Sequence, residues 1–242
     1  MLFAHFKIMF LELWRQPAYV VPTLLFPALF FLFFAQEEAK TVQIANIIMG
    51  SFAAFAVFGV VFFQFGVGIA NDRSSPWAEY LRTLPVAAHT VFAARLLTAL
   101  VFALLAALVV IVACNATTPV ELSSRAWAEF AFVLTFGSAP FLFLGIALGY
   151  WVSPKSALPL ANMIYLPLSF AGGLWKPPQL LPPAIAKVSA YLPSRHYGEV
   201  VWTSINRGDS PLKSWLWLLA YALIFASLAF WGYQRQQIQR YR

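Results

Sequence analysis

Histidine, cysteine and carboxylate side chains carry most enzyme chemistry, and this chain holds few of them: three His, one Cys and nine Asp plus Glu in 242 residues. His5, His89 and His196 are dispersed, so neither an HExxH zinc site nor a His-based nucleophile dyad can be drawn. The nearest pair is in "HYGE", where His196 and Glu199 stand one helical turn apart. Two ligands fall short of a metal site, and the pair reads better as a hydrogen-bonded brace. "GDSPLKS", residues 208–214, imitates the end of a phosphate-binding loop but lacks the glycine before the lysine. Cys114 alone excludes an internal disulfide and a cysteine metal cluster. No catalytic constellation emerges, and no metal or cofactor is expected on the chain itself.

The remaining sequence is apolar. Hydrophobic residues make up 61% of the chain and charged ones 10%, with a mean hydropathy of +0.74. A soluble domain of this length needs far more charge to cover its surface. The net charge of +7 is scattered around apolar runs, which reads as a topology signal rather than a nucleic-acid surface. About 20 uncharged apolar residues cross a bilayer as a helix. Runs of that kind predict an all-α polytopic membrane protein with six transmembrane helices, near residues 19–35, 44–70, 91–113, 127–152, 156–174 and 215–233. The chain reads as a single transmembrane domain over 1–242. The leader before the first run contains Glu12 and the run's exit lacks a small-x-small cleavage pattern, so it is not read as a signal peptide.

Orientation follows from Lys and Arg at the span ends. With both termini cytoplasmic, Lys7, Arg15, Arg73, Arg82, Arg95, Lys155, Arg235, Arg240 and Arg242 fall inside, against Lys40 and Arg125 in the two short outer loops. Lys176, Lys187, Arg195, Arg207 and Lys213 also fall outside, in the long, partly apolar loop after the fifth run, and are read as charges at the outer interface rather than as orienting ones. Residues 1–17 form an amphipathic interface helix. Phe6, Phe10 and Trp14 lie on its apolar face and Arg15 on the opposite one, until Pro17 breaks it. The loop 71–86, "NDRSSPWAEYLRTLPV", contains a short helix: Ser75 and Pro76 start it and Pro85 stops it. Trp77, Tyr80, Leu81 and Leu84 fall on one face, with Glu79 and Arg82 elsewhere. Two turns of helix are unstable alone, so this face packs either on the protein's own membrane surface or in a partner's groove. After the fifth run, "FAGGLWKPPQLLPP" combines Gly172 and Gly173 with Pro177 and Pro182, and Pro193 follows. Glycines permit the turn back, and the prolines isolate residues 184–192 and 195–205 as helices too short to span. Irregular backbone near membrane depth must be buried in protein or line a cavity. Residues 175–212 therefore read as an outer re-entrant region.

These two regions resemble the permease subunits of type-2 ATP-binding-cassette (ABC) exporters. The family's loop motif is matched at Asp72, Arg73, Glu79, Leu81, Pro85 and Val86, while Pro76 and Trp77 stand where the family has Gly-Thr. Its outer motif is matched at Phe170, Gly172, Gly173, Pro177, Leu181, Pro182, Leu192 and Pro193. The resemblance covers essentially the whole chain. It implies that 71–86 holds a coupling helix docking on a separate ABC ATPase subunit, which binds ATP and Mg. It also implies a homodimer or a pairing with a similar permease, in contact with membrane lipids, in a bacterial inner (plasma) membrane. In better-known relatives spans two and five line the substrate cavity. Phe55, Phe58, Phe62, Gln64 and Asn162 would then line a pathway for an amphipathic or hydrophobic substrate. Inside the spans no Asp, Glu, Lys or Arg sits at mid-depth, where an ion-coupled transporter keeps a relay group. The alternative is a non-transporting membrane scaffold or sensor-partner that keeps the exporter fold.

The charge asymmetry generates a test. In a Cys114→Ser background, Ser74→Cys should label only from the cytoplasm and Gln179→Cys only from outside. Labelling of both from one side would end the six-span topology.

Overall fold

The computed structural model describes residues 1–73, 75, 87–206, 208 and 211–240, and no strand occurs among them. α1 (Leu2–Trp14) and α2 (Pro17–Phe34) are followed by a 3-10 turn at Gln36–Glu38 and by α3 (Val42–Asp72). Beyond the next loop come α4 (Ala88–Thr117), α5 (Ser124–Gly137), α6 (Ala139–Trp151) and α7 (Pro154–Ala171). Then follow α8 (Pro183–Ser189), α9 (Pro193–Asn206) and α10 (Leu212–Arg240). Side-chain caps and prolines fix the starts. Thr41 Oγ1 accepts from the Ile44 amide, and Ser123 Oγ from the Ala126 amide. Pro17, Pro154, Pro183 and Pro193 each open a helix, where the missing N–H costs nothing.

α3 is the centre. Its most apolar stretch is 78% buried inside the protein, against 17% for α2 and for α10. A helix apolar all round belongs in the interior, and α3 is enclosed by α2, α4, α6, α7 and α9. The tightest approach is with α6. A Cβ on Gly145 would lie 2.7 Å from the Phe62 carbonyl oxygen, and one on Gly149 2.8 Å from Ile69 Cβ. "GIALG", residues 145–149, is thus a backbone-to-backbone seam within one protomer. Aromatic rings fill the rest: Phe58 stacks on Phe141 at 3.9 Å, and Phe55 stacks on Tyr165 at 4.8 Å. The Tyr165 hydroxyl donates to the Phe55 carbonyl at 2.9 Å, so the buried phenol is not left unpaired.

Among the described residues, five helical stretches are long and apolar enough to cross a membrane: Pro17–Phe34, Val42–Asp72, His89–Thr117, Ser124–Trp151 and Leu212–Gln237. The expected fifth of six, at 156–174, is α7. Its 18 residues (about 27 Å) include Lys155, Asn162 and two internal prolines, Pro159 and Pro167, so it falls short in composition. The fourth expected span, 127–152, is broken into α5 and α6. Pro140 cannot donate to the preceding turn, and Ser138 Oγ takes up the Thr135 carbonyl at 2.7 Å.

One end of this bundle gathers α1, the stems of the 74–86 loop, the α6–α7 turn and the C-terminal turns of α10. The other gathers the α2–α3 and α4–α5 connections with α8 and α9.

Gly145→Val would drive two methyl groups into the α3 backbone. Overpacking of this kind costs about 1–3 kcal/mol or more. Folded, monodisperse protein should be lost in size-exclusion profiles, whereas Gly68→Ala, which meets only the Arg95 guanidinium at 3.2 Å, should be tolerated. Equal yields of the two variants would contradict the seam.

Candidate functional site

Trp77, Glu79, Tyr80, Leu81, Arg82 and Leu84, expected to couple to an ATPase, lie outside the described residues. Their stems are well defined. Arg73, one residue past α3, donates from Nη1 to the Tyr150 carbonyl at 2.9 Å and from Nη2 to the Val152 carbonyl at 2.6 Å. A guanidinium is suited to this task, because its fork satisfies the orphan carbonyls that end α6 and complements the negative end of that helix. Asp72 pairs with Arg95 on α4. The loop's entry is thereby tied to α4 and α6 at once. Adjacent Asp and Arg after an apolar run gave a sequence signal of an end, but not of these partners.

The expected interface helix is α1. Phe6, Phe10 and Trp14 form a ladder of rings, with Phe10 and Trp14 stacked at 5.7 Å. Phe10 also meets Phe102 of α4 at 5.4 Å, while Arg15 is exposed. No residue of α1 is fully buried, so the helix is docked on α4 by one edge and open elsewhere. Tyr19 closes the group: its ring meets Phe102 at 5.7 Å, and its hydroxyl accepts from Gln64 Nε2 at 2.8 Å.

At the opposite end, Gly173 adopts φ +84°, a conformation that disfavours any side chain with a Cβ. Gly172 lies so near α9 that a Cβ would be 2.3 Å from Ser194 Oγ, and that hydroxyl donates to the Leu168 carbonyl at 2.6 Å. The turn after α7 is thus pinned to the start of α9. Pro177 and Pro182 hold the extended backbone on either side of the 3-10 turn Pro178–Leu180, and Pro193 opens α9. α9 then enters the bundle. Val201 and Ile205 pack at Gly50, Trp202 Nε1 donates to Ser51 Oγ at 2.7 Å, and the Tyr197 hydroxyl donates to the Leu134 carbonyl at 2.9 Å.

The polar side chains of α9 form one network. Arg195 Nε donates to Glu199 Oε1 at 2.9 Å, and Ser214 Oγ donates to Glu199 Oε2 at 2.5 Å. His196 lies flat on Trp217 at 5.3 Å, its Nδ1 3.2 Å from Ser214 Oγ. Burial pushes the His196 pKa down against the opposing pull of Glu199, which keeps the ring neutral. Burial alone would raise Glu199, but hydrogen bonds from Ser214 and Arg195 and the charge of Arg195 overcome it, so its carboxyl lies below the usual range. Among the described residues no three His, Cys, Asp or Glu converge as metal ligands.

The residues expected to line a pathway have other surroundings. Phe55, Phe58 and Phe62 are 0% exposed and present no open face within the protomer. α3 is apolar around most of its girth, so its phenylalanine period alone does not distinguish a lining face from core. Gln64 is hydrogen-bonded to Tyr19 as above, and Asn162 Nδ2, half-buried, donates to the Leu158 carbonyl of its own helix at 3.1 Å.

Residues 25–231 match the family model described as "ABC-2 family transporter protein". The chain is also 27% identical over 228 residues to a Bacillus subtilis (strain 168) protein that carries the name transport permease YvfS, with 92% of this chain and 93% of that one covered. A central helix clamped at both ends, a ring-lined amino-terminal helix at one end and a Gly-Pro turn at the other accompany that match; the chain belongs to the ABC-2 family of transporter proteins, as a multi-pass membrane permease subunit of an ABC transporter.

Proposed function

We propose that this permease works as an exporter, with loop 74–86 docking on the ATPase subunit and two permease copies, or this one and a similar chain, enclosing the route. ATP and Mg belong to the ATPase. The observation that carries the reading is mechanical. α3 spans 31 residues, about 46 Å, and is clamped to α4 and α6 beside the loop through Asp72–Arg95 and the Arg73 hydrogen bonds. Its far part holds α9 through Ser51 and Gly50. When nucleotide draws the ATPases together, a push on the loop moves α3, α4 and α6 together, and α9 with them. The excess of Lys and Arg at the loop end supports a cytoplasmic placement of both termini.

The route runs between protomers, along the open faces of α2 and α7. Phe26, Phe33 and Met163 are exposed there, Asn162 is half-buried beside them, and Phe30, Trp175 and Phe55 form the wall behind. A lining so rich in rings and so poor in charge suits an amphipathic or hydrophobic substrate.

Trp77→Ala and Leu81→Ala test the docking. Truncating a buried aromatic anchor costs about 2 kcal/mol or more, roughly a thirtyfold loss of affinity. ATPase co-purification and transport, normalised to folded permease, should both fall, with Lys40→Ala unaffected. Full association and transport in both variants would remove the docking role. Arg73→Gln should behave differently, leaving ATPase association near normal while lowering transport per ATP hydrolysed.

A further inference from the structure

Among the described helices only α2 and α7 carry interior prolines, Pro22 and Pro27 in one and Pro159 and Pro167 in the other. In α7 they fall in register. Lys155, Pro159, Met163 and Pro167 recur at every fourth residue and are all exposed, while Ala157, Ala161, Tyr165 and Ser169 form the buried stripe on the other side. A proline has no N–H, so Pro159 cannot donate to the Lys155 carbonyl, nor Pro167 to the Met163 carbonyl. Among the described residues no side chain bonds to either oxygen. The neighbouring amide, Asn162 Nδ2, goes to the Leu158 carbonyl instead, which leaves Asn162 Oδ1 as a third acceptor. The outward stripe of α7 therefore holds backbone acceptors that have lost their helical donors.

Met163 stands near the middle of α7 and is 71% exposed. A bare carbonyl against lipid tails is costly, and spanning helices keep prolines where neighbours or water meet the freed groups. Composition agrees. α7 has the same 18 residues as α2, yet α2 is apolar enough to cross a membrane and α7 is not. The stripe thus faces water or hydrogen-bond donors rather than hydrocarbon. Charge narrows the choice of donor. Lys155 is the one charged residue of α7. Carbonyl oxygens disfavour an anion at mid-depth, Lys155 disfavours a cation at the loop end, and no carboxylate on the helix would hold one.

We infer that this stripe is the hydrated wall of the export route and selects uncharged amphiphiles whose polar part donates hydrogen bonds, as hydroxyls do. The inference rests on the export reading for the route and adds the chemistry of the substrate to it. The Lys155 carbonyl meets the donors at the loop end, and the Met163 carbonyl with Asn162 Oδ1 meets them halfway across. Exposed Phe26 and Phe33 of α2 take the apolar part. Water fills the same positions in the absence of substrate.

The test uses full-length permease in phosphatidylcholine vesicles, with no ATPase, in a Cys114→Ser background. Met163→Cys should react with a charged methanethiosulfonate at least about tenfold faster than Leu223→Cys on α10, because hydrocarbon suppresses the reactive thiolate. Leu223 is 61% exposed, so access to lipid is matched. 1-O-Dodecylglycerol should slow labelling of Met163→Cys about fivefold more than its dimethyl ether, which has the same oxygens but no donor, the size of one neutral hydrogen bond. Adding Pro167→Ala restores an N–H to the Met163 carbonyl and should abolish the difference between the two compounds, with thermal melting checking the fold. Equal reactivity of Met163→Cys and Leu223→Cys, or oxidative Met163→Cys dimers in place of labelling, would overturn the hydrated wall. Equal protection by the diol and its ether would overturn the substrate class. Neither result touches the coupling to the ATPase, which Trp77→Ala and Leu81→Ala decide separately.

Discussion

Between helices in a bilayer there is little hydrophobic force, because lipid tails are as apolar as leucine, and association rests on fit and on a few hydrogen bonds. α3 meets that constraint at every level. Gly145 and Gly149 let α6 approach its backbone, and Phe141 and Tyr165 stack on its rings. Hydrogen-bonded contacts join it to the rest, among them Asn46 with the Glu121 backbone, Trp202 with Ser51, Tyr165 with the Phe55 carbonyl, Gln64 with Tyr19, and Asp72 with Arg95. α2, α4, α5, α6, α7 and α9 all pack against this helix. α2 and α10, which have less to do with it, keep broad faces for lipid or for another chain.

Much of this architecture was legible because prolines and glycines state where helices must stop. The prolines around residues 182–193 separate two short helices in the sequence, and α8 and α9 occupy those places. The two glycines of "GIALG" stand one helical turn apart, a spacing suited to close helix packing, and they meet the α3 backbone. Loss of legibility has a physical pattern. A helix that is apolar all round has no informative period, so Phe55, Phe58 and Phe62 look like a stripe although α3 has no outer face. Gln64 looks like a lone polar group because its partner, Tyr19, is 45 residues away. Arg73 reads as a topology charge, whereas its guanidinium meets carbonyls 77 and 79 residues further on. α7 reads as an ordinary span until the combined effect of Lys155, Asn162 and its two internal prolines is counted.

The scarcity of reactive side chains also takes on meaning in three dimensions. Ionisable groups are concentrated at the two ends, where they clamp helices rather than transform a substrate. Arg73 and Arg95 fasten the base of one loop, and Arg195, His196 and Glu199 form one network with Ser214. Such groups tolerate movement of the whole assembly while keeping its parts in register. That suits a permease subunit of an ABC transporter.

Asn46 and Gln64 are both buried, both hydrogen-bonded outside α3, and 18 residues apart on the same helix, a rise of about 27 Å. Between them the helix carries no side chain more polar than Ser51. Each amide is paired inside the protein rather than to water or headgroups, so α3 exposes no unsatisfied polar group at either height. The register of the central helix is therefore set by its protein neighbours: by α2 through Tyr19 at one height, and by the α4–α5 connection through the Glu121 backbone at the other.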